Sequence, residues 1–278
     1  GDGRGSIGGP MKAMVKSLVP AVARRWVRRA FEWRWLRGDY ASWAEARAAS
    51  GGYDDANVLA RVLAATRAVR AGRAEWERDG VTFAAPPGAT PLAAVLERIA
   101  AAEGGRLDLV DFGGGLGTTW WQHRRQFPNR AAVCWRVVEQ PAWVEAGRRE
   151  FTGDGLEFFP TLDEACAGLT PAVILFSSVL PYVEQPRSVL DAAVRRRFRH
   201  LVIDRTGFTG RGRDRLAVQH VPAVVGAATY PCWLFDRGSL LAPLSEDYAL
   251  VDEWSRHELD GRHDYRGFYF QRRSGAGR

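Results

Sequence analysis

The residues best suited to chemistry lie in the run Asp111-Phe112-Gly113-Gly114-Gly115-Leu116-Gly117, after the apolar stretch Leu107–Asp111 and before Thr118-Thr119-Trp120-Trp121. A strand that ends in a glycine turn and hands over to a helix brings bare backbone to a ligand. It also supplies positive φ and unpaired N–H groups. Spacing then selects among ligands. A dinucleotide fingerprint needs glycine at the first, third and sixth positions; counted from Gly113 the sixth is Thr118, and from Gly115 it is Trp120. No Gly-Lys-Ser/Thr phosphate loop occurs either. What remains is acidic-x-Gly-x-Gly-x-Gly, carried by Asp111, Gly113, Gly115 and Gly117, with Gly114 inside the turn. Glu139, 22 positions beyond Gly117, closes the next apolar run. A carboxylate there can accept hydrogen bonds from both hydroxyls of a ribose. Phe158, Phe159 and Thr161 follow the third run and would border a base, although core packing suits the phenylalanines equally.

Such a loop must be held by a sheet. Short apolar runs at Leu107–Asp111, Ala132–Glu139, Leu156–Phe159, Ala172–Phe176, Leu201–Asp204, Ala249–Trp254 and Gly267–Gln271 alternate with helical stretches. This alternation predicts an α/β fold whose mostly parallel sheet is covered on both faces. The last two runs are joined by residues 255–266, too few for a helical crossover, so they should form an antiparallel hairpin at one edge. Upstream, the periodicity predicts helices over 21–36, 44–49, 56–78 (ended by Asp79-Gly80) and 91–102, and no strand. The expected organisation is a leader or expression scar at 1–10, a helical extension at 11–102 and a Rossmann-like unit at 103–278.

The acidic-x-Gly-x-Gly-x-Gly loop resembles the first motif of S-adenosylmethionine-dependent methyltransferases. The chain resembles more closely one group of them, bacterial methyltransferases that accompany surface-polysaccharide and related biosynthetic genes. That resemblance runs from about Gly38 to Gln271 and rests on Gly38-Asp-Tyr-Ala-Ser-Trp-Ala-Glu-Ala46, Gly52-Tyr53, Val110–Gly117 and Val138-Glu-Gln-Pro141. It continues in Ser177-Ser-Val-Leu-Pro-Tyr182, Ile203-Asp-Arg-Thr206, Val218-Gln-His-Val-Pro222 and Thr229-Tyr-Pro-Cys-Trp233. Two positions depart from the group's pattern: Pro181 stands where glutamine is expected, and His220 where lysine is more usual. The resemblance implies a Rossmann-like class I methyltransferase with seven strands and S-adenosylmethionine as cofactor. Asp111, Gly113, Gly114, Gly115, Gly117, Glu139, Phe159, Ser177 and Ser178 would then bind the donor. It implies O-methylation of a saccharide or other small biosynthetic acceptor. A catalytically inactive S-adenosylmethionine-binding or scaffold module, and an RNA methyltransferase, are the alternatives.

Methyl transfer to oxygen needs an aligned acceptor and a destination for its proton. On residue type, His220 is the candidate base, because imidazole titrates near neutrality. Asp204 could orient the acceptor or hold a divalent ion, or simply pair with Arg205 or Arg215. Tyr230 lies with His220 in the long connection 206–244, which is expected to form an acceptor-binding lid. His257 and His263 lack a zinc-ligand pattern, and no metal site is expected.

The charge balance weakens a nucleic-acid partner. Thirty-nine basic against 32 acidic residues give a net +7, but residues 11–40 hold eight basic and two acidic side chains, so the remaining chain is close to neutral. Lysine occurs only at positions 12 and 16. Wound as a helix, residues 21–36 gather Arg24, Arg25, Arg28 and Arg29 on one side and Trp26, Val27, Phe31 and Trp33 on the other. Such a helix either docks on its own domain or makes peripheral contact with an anionic membrane. Three widely spaced cysteines exclude a disulfide framework and suit the cytoplasm, with the inner membrane face as the site of any such contact. Nothing in the sequence sets the oligomeric state.

Overall fold

The computed structural model describes residues 35–51, 55–85, 90–127, 129, 132–221, 228–256 and 264–274. The expected leader and the basic helix, up to residue 34, lie outside the described residues.

The central sheet is built from β4 (Leu107–Phe112), β5 (Val133–Val138), β6 (Leu156–Phe159), β7 (Val173–Ser177), β8 (His200–Phe208), β11 (Tyr248–Arg256) and β12 (Asp264–Arg272). Their order is β11-β12-β8-β7-β4-β5-β6. Pairing is parallel from β6 to β8, and β12 runs antiparallel to both β8 and β11. This is the mostly parallel, Rossmann-like α/β sheet expected from the alternation of runs, with its antiparallel edge hairpin. Strand order reverses between β4 and β7, and ligands of such sheets bind in the crevice beyond the carboxyl ends at that switch point. The glycine loop leaves β4 there, and Ser177 ends β7 beside it.

Alternation along each strand feeds two cores. Leu109, Val137, Val173 and Leu175 face a layer containing α2 (Asp55–Arg70), α3 (Pro91–Ala102) and α5 (Pro141–Glu150). Val110, Ile174, Phe176 and Ile203 face the opposite layer, with α6 (Leu162–Cys166), α7 (Pro186–Arg195) and α8 (Arg237–Leu241). Leu92, Val95, Leu96 and Ile99 of α3 are buried in the first core. The upstream helices therefore share the core of the sheet.

Two expectations upstream are corrected. The long helix does not reach Arg78; α2 stops at Arg70, and β2 (Trp76–Arg78) pairs antiparallel with β3 (Val81–Phe83). Asp79 and Gly80 link them at φ +53° and +78°, the left-handed pair that a tight two-residue hairpin requires. The same Asp-Gly that reads as a helix stop is thus a turn. Likewise, helix 21–36 does not extend to its expected end, because Leu36–Arg37 form strand β1. The segment 35–102 is therefore mixed, holding α1 (Trp43–Ala48), α2 and α3 together with three short strands.

The long connection is also ordered as sheet. β9 (Arg215–Val221) lies between β1 and β10 (Ala228–Leu234), antiparallel to both. One face of this small sheet, with Leu216 and Val218, packs on Ala46 and Trp43 of α1. The other carries Ala217, Cys232 and Leu234 against Leu36. The Gly51 amide donates to Thr229 Oγ1 at 2.6 Å and closes the α1 side. Among the described residues, no helix is long and apolar enough to cross a membrane.

Candidate functional site

The glycine loop is a close-fitted cradle. Gly113, Gly115 and Gly117 adopt φ of +73°, +62° and +82°, which side chains resist. A Cβ at Gly113 would come within 2.2 Å of Val179, at Gly114 within 2.6 Å of the Asp111 carboxyl carbon, and at Gly117 within 3.0 Å of Leu156. Gly115 differs. Its nearest neighbours would be Trp143 at 3.7 Å and Thr118 Oγ1 at 3.9 Å, so the cradle opens at this residue. The Gly113 amide donates to the Val138 carbonyl at 2.8 Å, tying the loop to the end of β5. The helix that follows, α4 (Thr118–His123), is only six residues long. The loop backbone therefore matters more than a helix dipole.

Asp111 does not face the cleft directly. It is 1% exposed beneath Gly114, and its Oδ2 accepts from Trp135 Nε1 at 3.0 Å. Its Oδ1 meets no hydrogen-bonding partner among the described residues. Burial pushes the carboxyl up to about 7 against the Trp135 hydrogen bond, and nearby Glu139 pushes it in the same direction. Glu139 stands just past β5, half-buried, with Oε2 accepting the Gln140 amide at 2.7 Å. Phe159 ends β6, where the Glu139 amide donates to its carbonyl at 3.1 Å and Arg148 lies 6.0 Å from its ring centre. Gly115, Glu139 and Phe159 thus stand at consecutive strand ends, and Trp143 of α5 lies beside Gly115.

Across the switch point stand Ser177 and Ser178. Ser178 sits at φ +60°, and its amide donates to the Asp204 carbonyl at 2.9 Å. A serine held in the left-handed region is strained, and such strain tends to gather at binding sites. The next residue, Val179, is the one that presses on Gly113. The two crevice walls are therefore in contact.

Asp204 is placed differently from expectation. Together with Arg205 it opposes the single residue Gly267 in a β-bulge between β8 and β12. The Trp254 indole lies on Gly267, where a Cβ would be 2.1 Å from the ring, and donates to Asp204 Oδ1 at 2.9 Å. Asp204 is 0% exposed. Its carboxylate serves the edge hairpin instead of opening on an acceptor.

The register of β9 and β10 separates the other two candidates. Gln219 pairs with Tyr230, and His220 pairs with Thr229; neighbouring residues of a strand point to opposite faces. Tyr182, from the turn after Ser178, donates its hydroxyl to Gln219 Oε1 at 2.9 Å. It also meets Tyr230 edge-on at 5.3 Å between ring centres. Tyr230 and Gln219 are thus brought to the β7 side of the crevice. His220 is not: it shares the face of Leu216, Val218 and Thr229 that α1 and Gly51 cover. Burial, then Arg37, pushes its imidazole below the usual value. The residue expected as a base thus stands half-buried on the face of β9 opposite to Tyr230.

Sequence spacing also missed Glu77. From β2 its carboxylate reaches the start of α4, accepting from Thr118 Oγ1 and, at 3.3 Å, from the Gly80 amide. Burial pushes it up to about 6. Only the hairpin brings this residue near the loop. Among the described residues, no three His, Cys, Asp or Glu side chains converge as metal ligands.

No protein-family model and no curated protein matches the chain. Solved structures do resemble it. One is a Burkholderia thailandensis 1,6-didemethyltoxoflavin-N1-methyltransferase with bound 1,6-didemethyltoxoflavin and S-adenosylhomocysteine, at 16% identity and TM-score 0.45, covering 86% of this chain and 94% of that one. Another is the magnesium protoporphyrin IX methyltransferase of Synechocystis, at 12% identity and TM-score 0.45, covering 94% and 100%. A third is an amino pentose methyltransferase from Micromonospora echinaspora, at 18% identity and TM-score 0.42, covering 67% and 93%.

Proposed function

We propose that the chain is an S-adenosylmethionine-dependent methyltransferase that methylates a hydroxyl of a saccharide or another small biosynthetic acceptor. The observation that carries this reading is the pairing of two walls at the sheet's switch point. One wall is a glycine cradle open at Gly115 and flanked by Glu139 and Phe159. The other is Ser177-Ser178 with Tyr182, Gln219 and Tyr230. The space over Gly115, with the Glu139 carboxylate on the next strand end, fits a polar nucleoside with an amino-acid tail.

When bound, S-adenosylmethionine supplies an electrophilic methyl group on a cationic sulfur. The protein's share is then binding and alignment. Gly113 to Gly117 give contact-distance backbone, and Glu139 accepts from ribose hydroxyls. Tyr182 and Tyr230 offer apolar ring faces beside the Gln219 amide, a combination that suits the alternating C–H and O–H surfaces of a sugar. Holding the acceptor in line supplies much of the barrier reduction, with an effective molarity on the order of 10⁵ M or more in well-oriented systems.

Because His220 lies on the face of β9 opposite to Tyr230 and Asp204 is buried against Trp254, a binding module without turnover is the second reading. Calorimetric titration with S-adenosylmethionine, followed by methyl-transfer assays on free and lipid-linked saccharides, separates the two. Donor binding with product supports the first reading. Binding without turnover across the panel supports the second, and no binding overturns both.

A further inference from the structure

Glu77 and Thr118 form a hydrogen-bonded pair that the crevice described above leaves unused. Glu77 is 1% exposed, and a buried carboxylate is costly unless it is hydrogen-bonded or faces positive charge. It has two hydrogen bonds, from the Thr118 hydroxyl and the Gly80 amide, and its own carbonyl accepts from Gln122 Nε2 at 3.0 Å. The charged groups around it come from several elements. Asp79 on the same hairpin opposes its ionisation, Arg205 of β8 favours it, and Arg78 pairs with Asp79 at 3.7 Å. Arg61 of α2 packs under the turn at Gly80, and Arg125 beyond α4 is held by Glu75 at 2.6 Å.

Thr118 is half-buried, at the edge of the cradle. A hydroxyl has one proton to give and two lone pairs to accept with. That proton is committed to Glu77, so the oxygen can only accept from anything else. Thr118 Oγ1 also lies 3.9 Å from the Cβ position of Gly115, the one place where the cradle is open. A ligand resting on Gly115 therefore meets an acceptor-only oxygen with a carboxylate behind it. This is an environment for a positively charged N–H donor. Of the groups on S-adenosylmethionine, the α-ammonium of its amino-acid end has that chemistry.

Resting on the donor reading above, we infer that Thr118 Oγ1 accepts a hydrogen bond from the donor's α-ammonium, and that Glu77 is the positioning residue that orients and polarises this hydroxyl. The hairpin β2–β3 then contributes to donor recognition from outside the central sheet.

Three ligands test this by calorimetry. S-adenosylmethionine and S-adenosylhomocysteine both carry the ammonium, whereas 5′-methylthioadenosine keeps the nucleoside and the sulfur but lacks the amino-acid end. Thr118→Val and Glu77→Gln should weaken the first two by roughly tenfold or more, the range for a hydrogen bond to a charged group. The affinity for 5′-methylthioadenosine should stay within about threefold of wild type, and Thr118→Ser should restore S-adenosylhomocysteine binding. A purely structural role predicts equal loss for all three ligands, and that result overturns the inference, as does unchanged binding of S-adenosylhomocysteine. If Glu77→Gln does not fold, the near-isosteric Thr118→Val carries the same comparison. Wild-type protein that binds none of the three overturns the donor reading itself. Selective failure of the variants' predicted pattern overturns only the roles of Thr118 and Glu77.

Discussion

Replacing Gly113 by alanine probes the contact between the two crevice walls. The residue has φ +73°, and an added Cβ would lie 2.2 Å from Val179 Cγ2 and 2.7 Å from its Cβ. Two costs add. Holding a side chain in the left-handed region costs roughly 1–2 kcal/mol. Forcing an extra carbon into occupied space costs about 1–3 kcal/mol more. The expected destabilisation is therefore about 2–5 kcal/mol. Gly115→Ala is the matched control: its φ is +62°, but its Cβ would meet nothing closer than 3.7 Å. It should show only the backbone cost, roughly 1–2 kcal/mol.

Urea denaturation of both variants, and of Gly113→Ala combined with Val179→Ala, gives the energies. Because Val179→Ala removes the Cγ2 at 2.2 Å but keeps the Cβ at 2.7 Å, the double variant should relieve only part of the clash and exceed additivity by about 1 kcal/mol, the lower end of the overpacking range. Equal losses for Gly113→Ala and Gly115→Ala, or strict additivity with Val179→Ala, would refute the reasoning. Donor affinity should fall in Gly113→Ala as well, since Val179 shifts together with its strained neighbour Ser178.

Gly115→Arg should fold, because its side chain enters open space, yet titration with S-adenosylmethionine should show no binding. The Asp111 carboxyl rises from 3.8 to about 7 in the folded chain, with burial the main cause. A folded state that keeps a proton the unfolded chain has released is most favoured below about pH 4 and loses that advantage as pH rises through about 7. Denaturation at pH 5 and pH 8 should therefore show a larger loss in wild type than in Asp111→Asn, on the order of a few kcal/mol at about 1.4 kcal/mol per unit. Glu77 shifts in the same direction in both proteins, so their difference isolates Asp111. His220→Ala should leave kcat near wild type, whereas Tyr230→Ala should lower kcat/KM for the acceptor at least tenfold. The reverse ranking in a methyl-transfer assay would put the acceptor on the α1 side of β9.

The sheet was legible because its central strands are short, mostly apolar and largely buried runs bounded by loops. The glycine loop was legible because positive φ and close neighbours at its glycines leave little room for any other residue at the spacing found. The hairpin β2–β3 was not. The apolar periodicity of α2 runs on toward Trp76, and Asp79-Gly80 serves a helix stop and a tight turn equally well. Which reading holds is decided by Trp76 stacking on Phe83 at 4.6 Å and by Glu77 reaching Thr118, 41 residues away. Similarly, period-two alternation shows that Gln219 and His220 oppose each other, but not which of them faces inward. That depends on α1 covering one face, a contact between segments more than 170 residues apart in sequence, as the bond from Gly51 to Thr229 shows.

These misses share a location. β1 completes the sheet of β9 and β10, α1 packs on it, and the β2–β3 hairpin packs against α4 beside the glycine loop. The segment before the central sheet therefore packs both on the small sheet of β9 and β10 and beside the glycine loop. A local pattern can identify the cradle, since its glycines lie within seven consecutive residues, although Val179 and Leu156 press on it from elsewhere. On the proposed reading, selection of the acceptor would fall to pairs such as Tyr182–Gln219 and Leu36–Gln219, whose partners come from different parts of the chain. Exchanging segment 35–51 alone should accordingly disturb acceptor preference more than donor affinity, because its contacts run to β9 and β10 instead of to Gly113–Gly117.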